Sequence, residues 1–209
     1  MVSIMNLFGF NLIDFSVKGE NARHMFKPSA RAKLNELALN RLFNKFGFND
    51  VHKDIITLCS NLTLISVACK GNEYTALKLY FSNSEDKFKQ VAGNFEKCDS
   101  LYNLSREQNL EILCALNLNK DATIGKKIYL ETQEVDLNMV KNKQAILQDL
   151  NKDLLLALPE LMKNLNFDKK KISKVNETIS YMKSKEIPLA TIGVDIDSNE
   201  IKLYFDYGQ

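Results

Sequence analysis

The stretch EIKLYFD, residues 200–206, decides the fold because its side chains divide by position into two kinds. Successive side chains of a β-strand point to opposite faces, so Lys202 and Tyr204 share one face while Leu203 and Phe205 share the other. A short run of β-branched and aromatic residues with this alternation is typical of a strand. We therefore predict a strand with one polar and one apolar face.

The same pattern occurs in two earlier stretches, ALKLYFS at 76–82 and GKKIYLE at 125–131. The polar pairs are Lys78 and Tyr80, Lys127 and Tyr129, and Lys202 and Tyr204; the apolar pairs are Leu79 and Phe81, Ile128 and Leu130, and Leu203 and Phe205. Three of the seven tyrosines thus follow a lysine by two positions, where chance gives roughly one. The three stretches indicate a degenerate internal repeat.

Each of these stretches is predicted to be the second strand of a β-hairpin. The hairpins span residues 62–82, 110–132 and 188–208, with turns at 71–72, 119–122 and 197–200. In the first strand of the third hairpin, the alternation places Asp195 on the polar face together with Thr191 and Gly193. An extended N-terminal segment, residues 4–18, ends at a predicted turn, KGEN.

Between the hairpins, apolar residues recur with the spacing that is typical of helices. Predicted helices cover a segment opened by Pro28 and stopped by Gly47, a short segment at 49–59, residues 84–98, a long stretch at 137–165 that Pro159 should kink or divide, and residues 168–185. Hairpins that alternate with helices favour an α+β fold in which helices cover one face of an antiparallel sheet. We predict a single domain over residues 1–209, with six strands and one or two more near the N terminus.

The composition excludes several functional classes. Hydrophobic residues make up 45% and charged residues 26%, as in soluble globular proteins, and the net charge of +2 gives no nucleic-acid or membrane signal. The four cysteines and two histidines lack ligand-like spacing, which predicts no metal site and free thiols in a reducing, cytoplasmic compartment. The first residues lack the basic region typical of a signal peptide, so none is expected. The sequence shows neither a glycine-rich phosphate loop nor an acidic magnesium-binding cluster, so no cofactor is expected.

The polar face of the sheet has two possible roles. It is either simply solvated, or the sheet curls into a barrel or partial barrel whose polar face lines a cavity. Lysine supplies a compact positive charge with three donors, and tyrosine supplies a flat ring with a hydroxyl. Several such pairs in one cavity could hold a diphosphate and stabilise a carbocation derived from it.

Hairpins separated by helices, with Lys-x-Tyr in the second strands, resemble the aromatic prenyltransferases of the ABBA fold. The resemblance covers about residues 30–209, and the stretch LFNKFGFNDV also looks like that family's approach to its first hairpin. It implies an antiparallel barrel ringed by helices that transfers a prenyl group from an allylic diphosphate to an aromatic acceptor. The residues that it implies for holding the diphosphate and shielding the allyl cation are Lys78, Tyr80, Lys127, Tyr129, Lys202 and Tyr204.

Such an enzyme often uses a carboxylate to accept the proton of the aromatic ring. Asp195 is the candidate catalytic residue, with Glu111 at a strand edge as the other possibility; either could instead be a solvated surface acid. The family's shields commonly include arginines, and none of the four arginines here falls in a predicted strand. The alternative hypothesis is a non-catalytic domain that binds a ligand or another protein through the same hairpin sheet.

Overall fold

The computed structural model describes Met5 and residues 10–18, 20–29, 36–48, 53–82, 85–121, 123–131 and 143–205. The strands are β1 (Phe10–Lys18), β2 (Asn21–Pro28), β3 (Leu62–Lys70), β4 (Glu73–Phe81), β5 (Glu111–Asn119), β6 (Ile124–Glu131), β7 (Leu189–Asp195) and β8 (Ile201–Phe205). The helices are α1 (Glu36–Lys45), α2 (Lys53–Leu58), α3 (Glu85–Ala92), α4 (Phe95–Glu107), α5 (Lys143–Asn164) and α6 (Lys169–Ser184), with a 3₁₀ turn at Cys59–Asn61. Hairpins therefore alternate with pairs of helices, and the predicted α+β class is confirmed.

The eight described strands form one sheet in which they follow each other in chain order, from β1 to β8. The registers of β1 to β5 and of β6 to β8 are antiparallel. The three predicted hairpins are β3–β4, β5–β6 and β7–β8. Strands β1 and β8 are the two ends of this order, so each has one strand neighbour among the described strands.

The N-terminal hairpin β1–β2 corrects the prediction that Pro28 opens a helix. The chain turns near Glu20, and β2 returns along β1 with Lys18 opposite Asn21 and Phe10 opposite Pro28. Proline is tolerated at the end of a strand because its missing N–H interrupts little of the ladder there. The first described residue of α1 is Glu36, and residues 30–35 lie outside the described part. Met5 is helical rather than extended.

The helices that follow β4 also differ from the prediction. The expected helix at 84–98 is two helices, because Gly93 adopts a left-handed conformation with φ of +69° and ends α3. The side chain of Asn94 then caps α4 by accepting a hydrogen bond from the backbone N–H of Lys97, at 3.2 Å. Helix α5 runs through Pro159 without dividing, and residues 137–142 of that predicted stretch lie outside the described part.

The chain divides into two compact units. The first unit consists of Met1–Gly93 and Cys114–Lys126, and the second consists of Asn94–Leu113 and Lys127–Gln209. Strands β5 and β6 therefore contribute residues to both units.

Each unit has its own apolar core built from one face of its strands. In the first unit, fully buried residues of the strands and helices include Ile65, Val67, Leu77, Leu79, Phe81, Phe43 and Phe88. In the second unit, α5 packs on β7 and α4, and its fully buried residues include Ile128, Leu130, Ile192, Val194, Leu154 and Leu161. Among the described helices, none has the length and apolar character that crossing a membrane requires.

Candidate functional site

The three Lys-x-Tyr pairs lie where the alternation predicts. Their apolar neighbours are fully buried in β4 and β6 and half-buried in β8. The exposed fraction of the tyrosines differs sharply: it is 9% for Tyr80, 5% for Tyr129 and 41% for Tyr204. The polar face is thus largely covered at the first two tyrosines and open at the third.

In the first unit, the pair on β4 has polar neighbours at Lys78 and apolar neighbours, Leu64 and Ala115, at Tyr80. Lys78 lies opposite Ser66 on β3 and Asn117 on β5, and Tyr80 lies opposite Ala115. The ammonium of Lys78 is 4.9 Å from the centre of the Tyr80 ring, within the range of a cation–π contact. This geometry leaves the charge of Lys78 beside an aromatic face.

Arg23 joins this face, although no arginine was predicted to lie in a strand. The register of β2 with β3 places Met25 opposite Ser66 and Arg23 opposite Ala68, so Arg23 has the same facing as Ser66 and Lys78. The alternation of Arg23, Met25 and Lys27 with Ala22, His24 and Phe26 could have revealed the strand.

In the second unit, five of the predicted site residues lie on one face of three neighbouring strands. Tyr129 is opposite Gly193, which in turn is opposite Lys202, and Lys127 is opposite Asp195. Tyr204 follows two residues after Lys202 on the same face of β8. We call Lys127, Tyr129, Gly193, Asp195, Lys202 and Tyr204 the Lys–Tyr face.

Gly193 allows the two tyrosine rings of the Lys–Tyr face to approach each other. The ring centres of Tyr129 and Tyr204 are 6.0 Å apart at an interplanar angle of 55°. A Cβ atom at Gly193 would lie 2.9 Å from Cε1 of Tyr129 and 3.2 Å from Cε2 of Tyr204, which is closer than ordinary packing permits. Because any side chain at this position would force one ring to move, glycine permits the observed contact.

The two carboxylate oxygens of Asp195 have different partners. Oδ1 accepts hydrogen bonds from the backbone N–H groups of Asp197 and Ser198, both at 3.1 Å, and so orders the turn that follows β7. Oδ2 lies 3.6 Å from Nζ of Lys127, which is an ion-pair distance longer than a hydrogen bond. Oδ1 thus contacts the turn, and Oδ2 faces the ammonium of Lys127. Glu111, the other candidate, is exposed at the start of β5.

Lys97 of α4 fixes the same turn from the other side. Its ammonium donates to the carbonyl oxygens of Asp195 at 2.9 Å, Ile196 at 3.1 Å and Ser198 at 2.5 Å, and lies 3.2 Å from Oδ1 of Asn199. Burial lowers the pKa of Lys97, and the nearby carboxylates of Asp195 and Asp197 partly oppose this shift. Nothing in the sequence indicated this contact, because it joins residues about a hundred positions apart.

The described residues contain no cluster of three or more histidine, cysteine, aspartate or glutamate side chains that could hold a metal ion. All four cysteines are buried free thiols. Burial raises the pKa of Cys59 to about 12, and its thiol donates to the carbonyl oxygen of Ile55 at 3.3 Å.

We expect the folded protein to resist thiol reagents because of this burial. At pH 8 a thiol with a pKa near 12 is thiolate in only about one molecule in ten thousand. Because all four thiols are buried, Ellman's reagent should label no cysteine of the native protein within an hour, and all four after unfolding in guanidinium. A thiol that reacted within minutes under native conditions would contradict the buried positions.

Neither the search of protein-family models nor the search of curated protein sequences finds a match for this chain.

Proposed function

We propose that the chain binds an allylic diphosphate at the Lys–Tyr face and transfers its prenyl group to an electron-rich aromatic acceptor. The observation that carries this proposal is the pair of rings above Gly193, with Lys127, Lys202 and a carboxylate on the same face. These side chains supply positive charge for a diphosphate, aromatic faces for an allyl cation and an oxygen for a proton.

The strand order supports the fold that this proposal needs. Eight antiparallel strands in chain order, in hairpins separated by pairs of helices, match the arrangement implied by the resemblance to aromatic prenyltransferases. In this proposal the sheet curls into a barrel or partial barrel and its polar face lines the lumen. Eight strands are described here against the ten of that family, so the proposal concerns a reduced or divergent relative of it.

The proposed chemistry needs no redox partner. The bond between the allylic carbon and the diphosphate oxygen breaks, and the electron pair leaves with the diphosphate, held by Lys127 and Lys202. The faces of Tyr129 and Tyr204 stabilise the allyl cation until a carbon of the acceptor ring forms the new bond. The proton displaced from that ring passes to Oδ2 of Asp195.

A second candidate is a non-catalytic domain that binds a ligand or a protein through the same face. The exposure of Tyr204 favours it, because an open tyrosine beside the exposed Lys202 is also what an interaction surface presents. In this candidate the contact between Lys127 and Asp195 is structural and no diphosphate is bound.

Thermal unfolding with dimethylallyl or geranyl diphosphate tests the proposal. A ligand that binds only the native state adds about 2.7 kcal/mol at 100 times its dissociation constant. For a chain of this length we expect a rise in Tm of about 5 to 10 °C. Lys202→Ala should lose more than half of that rise at the same ligand concentration, and Lys78→Ala shows whether the first unit contributes. Lys183→Ala, an exposed lysine of α6, is the matched control and should keep the full rise.

Transfer is measured separately, as diphosphate released in the presence of a dihydroxynaphthalene acceptor. Asp195→Asn should bind the ligand as the wild type does, since the amide oxygen can still order the turn, yet lose transfer because it cannot take the proton. No rise in Tm at millimolar ligand would overturn the proposal. A full rise without transfer to any acceptor in the wild type would favour the second candidate.

A further inference from the structure

The second unit contains a groove between α6 and the apolar face of β8. That face consists of Ile201, Leu203 and Phe205, and all three side chains are half-buried rather than buried. Helix α6, which forms the other wall, contains no buried residue. Among the described residues, the apolar floor of the groove is therefore only partly covered.

The groove has the size of a small-molecule site. Its volume is about 430 Å³, within the range that such sites occupy. From α6 it is lined by Lys171, Lys174, Val175 and Thr178, at positions i, i+3, i+4 and i+7. Residues at this spacing form one stripe along a helix, so a ligand in the groove meets all four.

Helix α6 and strand β8 run in the same direction along the groove. Near the start of α6, Asn166 lines a neighbouring cavity together with Asn199, which comes just before β8. At the other end, residues 185–188 join α6 to β7, and the first residue of β7, Leu189, is opposite Phe205. The start of α6 is therefore near the start of β8, and Phe205 marks the opposite end of the groove.

This direction gives the groove a charged end and an apolar end. Lys171 and Lys174 lie in the N-terminal half of α6, on the side where Glu200 precedes β8. The ammonium of Lys171 is 5.4 Å from the centre of the Phe167 ring, which also lines the groove. Beyond Lys174, toward Phe205, none of the described lining residues carries a charge.

The charges and the length of the groove select the kind of ligand. Two lysines and one glutamate give the described lining a net charge of +1 at pH 7, which complements a monoanion. Lysines three positions apart on a helix are close enough to contact one head group. From Ile201 to Phe205 the floor extends about 13 Å, which is about the length of a ten-carbon chain.

We propose that the groove between α6 and β8 binds a medium-chain fatty acid. Its carboxylate lies between the ammonium groups of Lys171 and Lys174, and its hydrocarbon chain follows the apolar face of β8 toward Phe205. Lys202 and Tyr204 belong to the opposite face of β8, so this site is separate from the proposed diphosphate site and does not depend on it.

Isothermal titration calorimetry of the full chain with three monomeric amphiphiles tests this proposal. Decanoate should bind saturably, with one molecule per chain. Hexanoate should bind at least about tenfold more weakly, because each methylene group removed from water tightens binding up to about fourfold. Decyltrimethylammonium has the same tail and the opposite charge, and we expect no saturable binding. Absence of saturable decanoate binding, or equal binding of decyltrimethylammonium, would overturn the proposal.

Charge variants locate the carboxylate. Lys174 is exposed, so Lys174→Glu should fold normally and weaken decanoate about tenfold. Glu200→Gln removes the negative charge of the lining and should tighten decanoate about twofold. Lys183→Glu, on the same helix outside the groove, is the matched control and should change the affinity less than twofold. Equal effects of Lys174→Glu and Lys183→Glu would indicate attraction to overall charge and would overturn the site.

A filling variant locates the hydrocarbon chain. Val175 is half-buried on α6, and Val175→Phe places a larger apolar side chain in the groove without adding charge. It should keep the Tm of the wild type and weaken decanoate at least about tenfold, because the ring takes the space of the tail. Unchanged affinity in Val175→Phe would place the ligand elsewhere and contradict the proposal.

The two proposed sites can fail independently. Lys174→Glu should keep the rise in Tm with dimethylallyl diphosphate, and Lys202→Ala should bind decanoate as the wild type does. Loss of decanoate binding in Lys202→Ala would assign the fatty acid to the Lys–Tyr face and overturn the groove. Dimerisation that Lys174→Glu abolishes, measured by sedimentation equilibrium without ligand, would assign the groove to a second copy of the chain and overturn it as well.

Discussion

Replacing Lys97 with methionine should lower the free energy of unfolding by about 3 kcal/mol. The ammonium of Lys97 donates to three carbonyl oxygens of the turn between β7 and β8 and reaches the side chain of Asn199. Hydrogen bonds to a charged group stabilise by about 1.5 to 3 kcal/mol each, and partial solvation reduces their sum. Methionine keeps the apolar stem and removes the donors, so the turn loses the group around which its carbonyls converge.

Urea unfolding measures the decrease in unfolding free energy in Lys97→Met, and hydrogen exchange shows which strands are affected. The amides of β7 and β8 should exchange faster in Lys97→Met, because β8 has five residues and begins directly after this turn. Lys170→Met is the control, because Lys170 is also in the first turn of a helix but is exposed. Its replacement should change the unfolding free energy by less than about 0.5 kcal/mol. Equal losses in both variants would mean that the contacts of Lys97 contribute nothing specific.

The difference in unfolding free energy between the wild type and Lys97→Met should increase with pH. Burial lowers the pKa of Lys97 below its usual 10.5, so the folded chain releases this proton at a lower pH than the unfolded chain does. The unfolded state then binds more protons between the two values, and the contribution of Lys97 to the unfolding free energy rises with pH through that window. The unfolding free energy of the wild type should therefore exceed that of Lys97→Met by more just below pH 10.5 than at pH 7.

Local alternation was enough to predict the six strands of the three later hairpins, β3 to β8, and their facing. In β4, β6 and β8 each residue's side follows from its parity, because a strand has a period of two and a one-residue slip would expose every apolar residue. The hairpin turns were readable for the same reason, since each joins two alternating runs. For this reason the sequence alone predicts that Lys127 and Tyr129 share the polar face of β6, and that Lys202 and Tyr204 share the polar face of β8.

The failures of prediction have local causes of a different kind. Pro28 has the sequence appearance of a helix start, but pairing with β1 and β3 makes its segment a strand. The apolar period of the helix predicted at 84–98 continues past Gly93, and only the left-handed conformation of that glycine divides it. Arg23 was missed for the first of these reasons, because a strand that was not recognised could not place its side chains.

The contacts that shape the candidate site could not be read from the sequence. Lys97 meets its turn across about a hundred residues, and no local pattern marks a lysine that will cap a distant loop. Gly193 lay on the predicted polar face, yet its role depends on rings from both neighbouring strands, β6 and β8. Such contacts depend on the register between neighbouring strands, which the sequence of one strand does not reveal.

Gly193→Val should cost about 3 kcal/mol and separate the two rings of the Lys–Tyr face. The added Cβ alone would lie 2.9 Å from the buried ring of Tyr129, so one ring must move. Tyr204 is 41% exposed and can turn outward, whereas Tyr129 is held by its surroundings at 5% exposure. We therefore expect loss of stability in urea unfolding, together with a change in near-ultraviolet circular dichroism from the tyrosines.

A pair of alanine variants separates this contact from the general effect of replacing a strand glycine. Alanine in place of glycine normally stabilises by about 0.4 to 1 kcal/mol where the backbone permits it. At Gly125 in β6, the new Cβ would lie 3.6 Å from Cβ of Asn117, an ordinary contact, so Gly125→Ala should be neutral or stabilising.

At Gly193 the same substitution should destabilise by about 1 kcal/mol, because crowding of the rings outweighs the entropy gained. If Gly125→Ala and Gly193→Ala changed the unfolding free energy in the same direction, this would contradict the packing of Tyr129 and Tyr204 over Gly193. If the two changes have opposite directions, the rise in Tm that the diphosphate causes can be measured in Gly193→Ala to separate binding from transfer. The rings shield the cation only if they stay together, so the variant should keep binding through Lys127 and Lys202 while its rate of prenyl transfer falls.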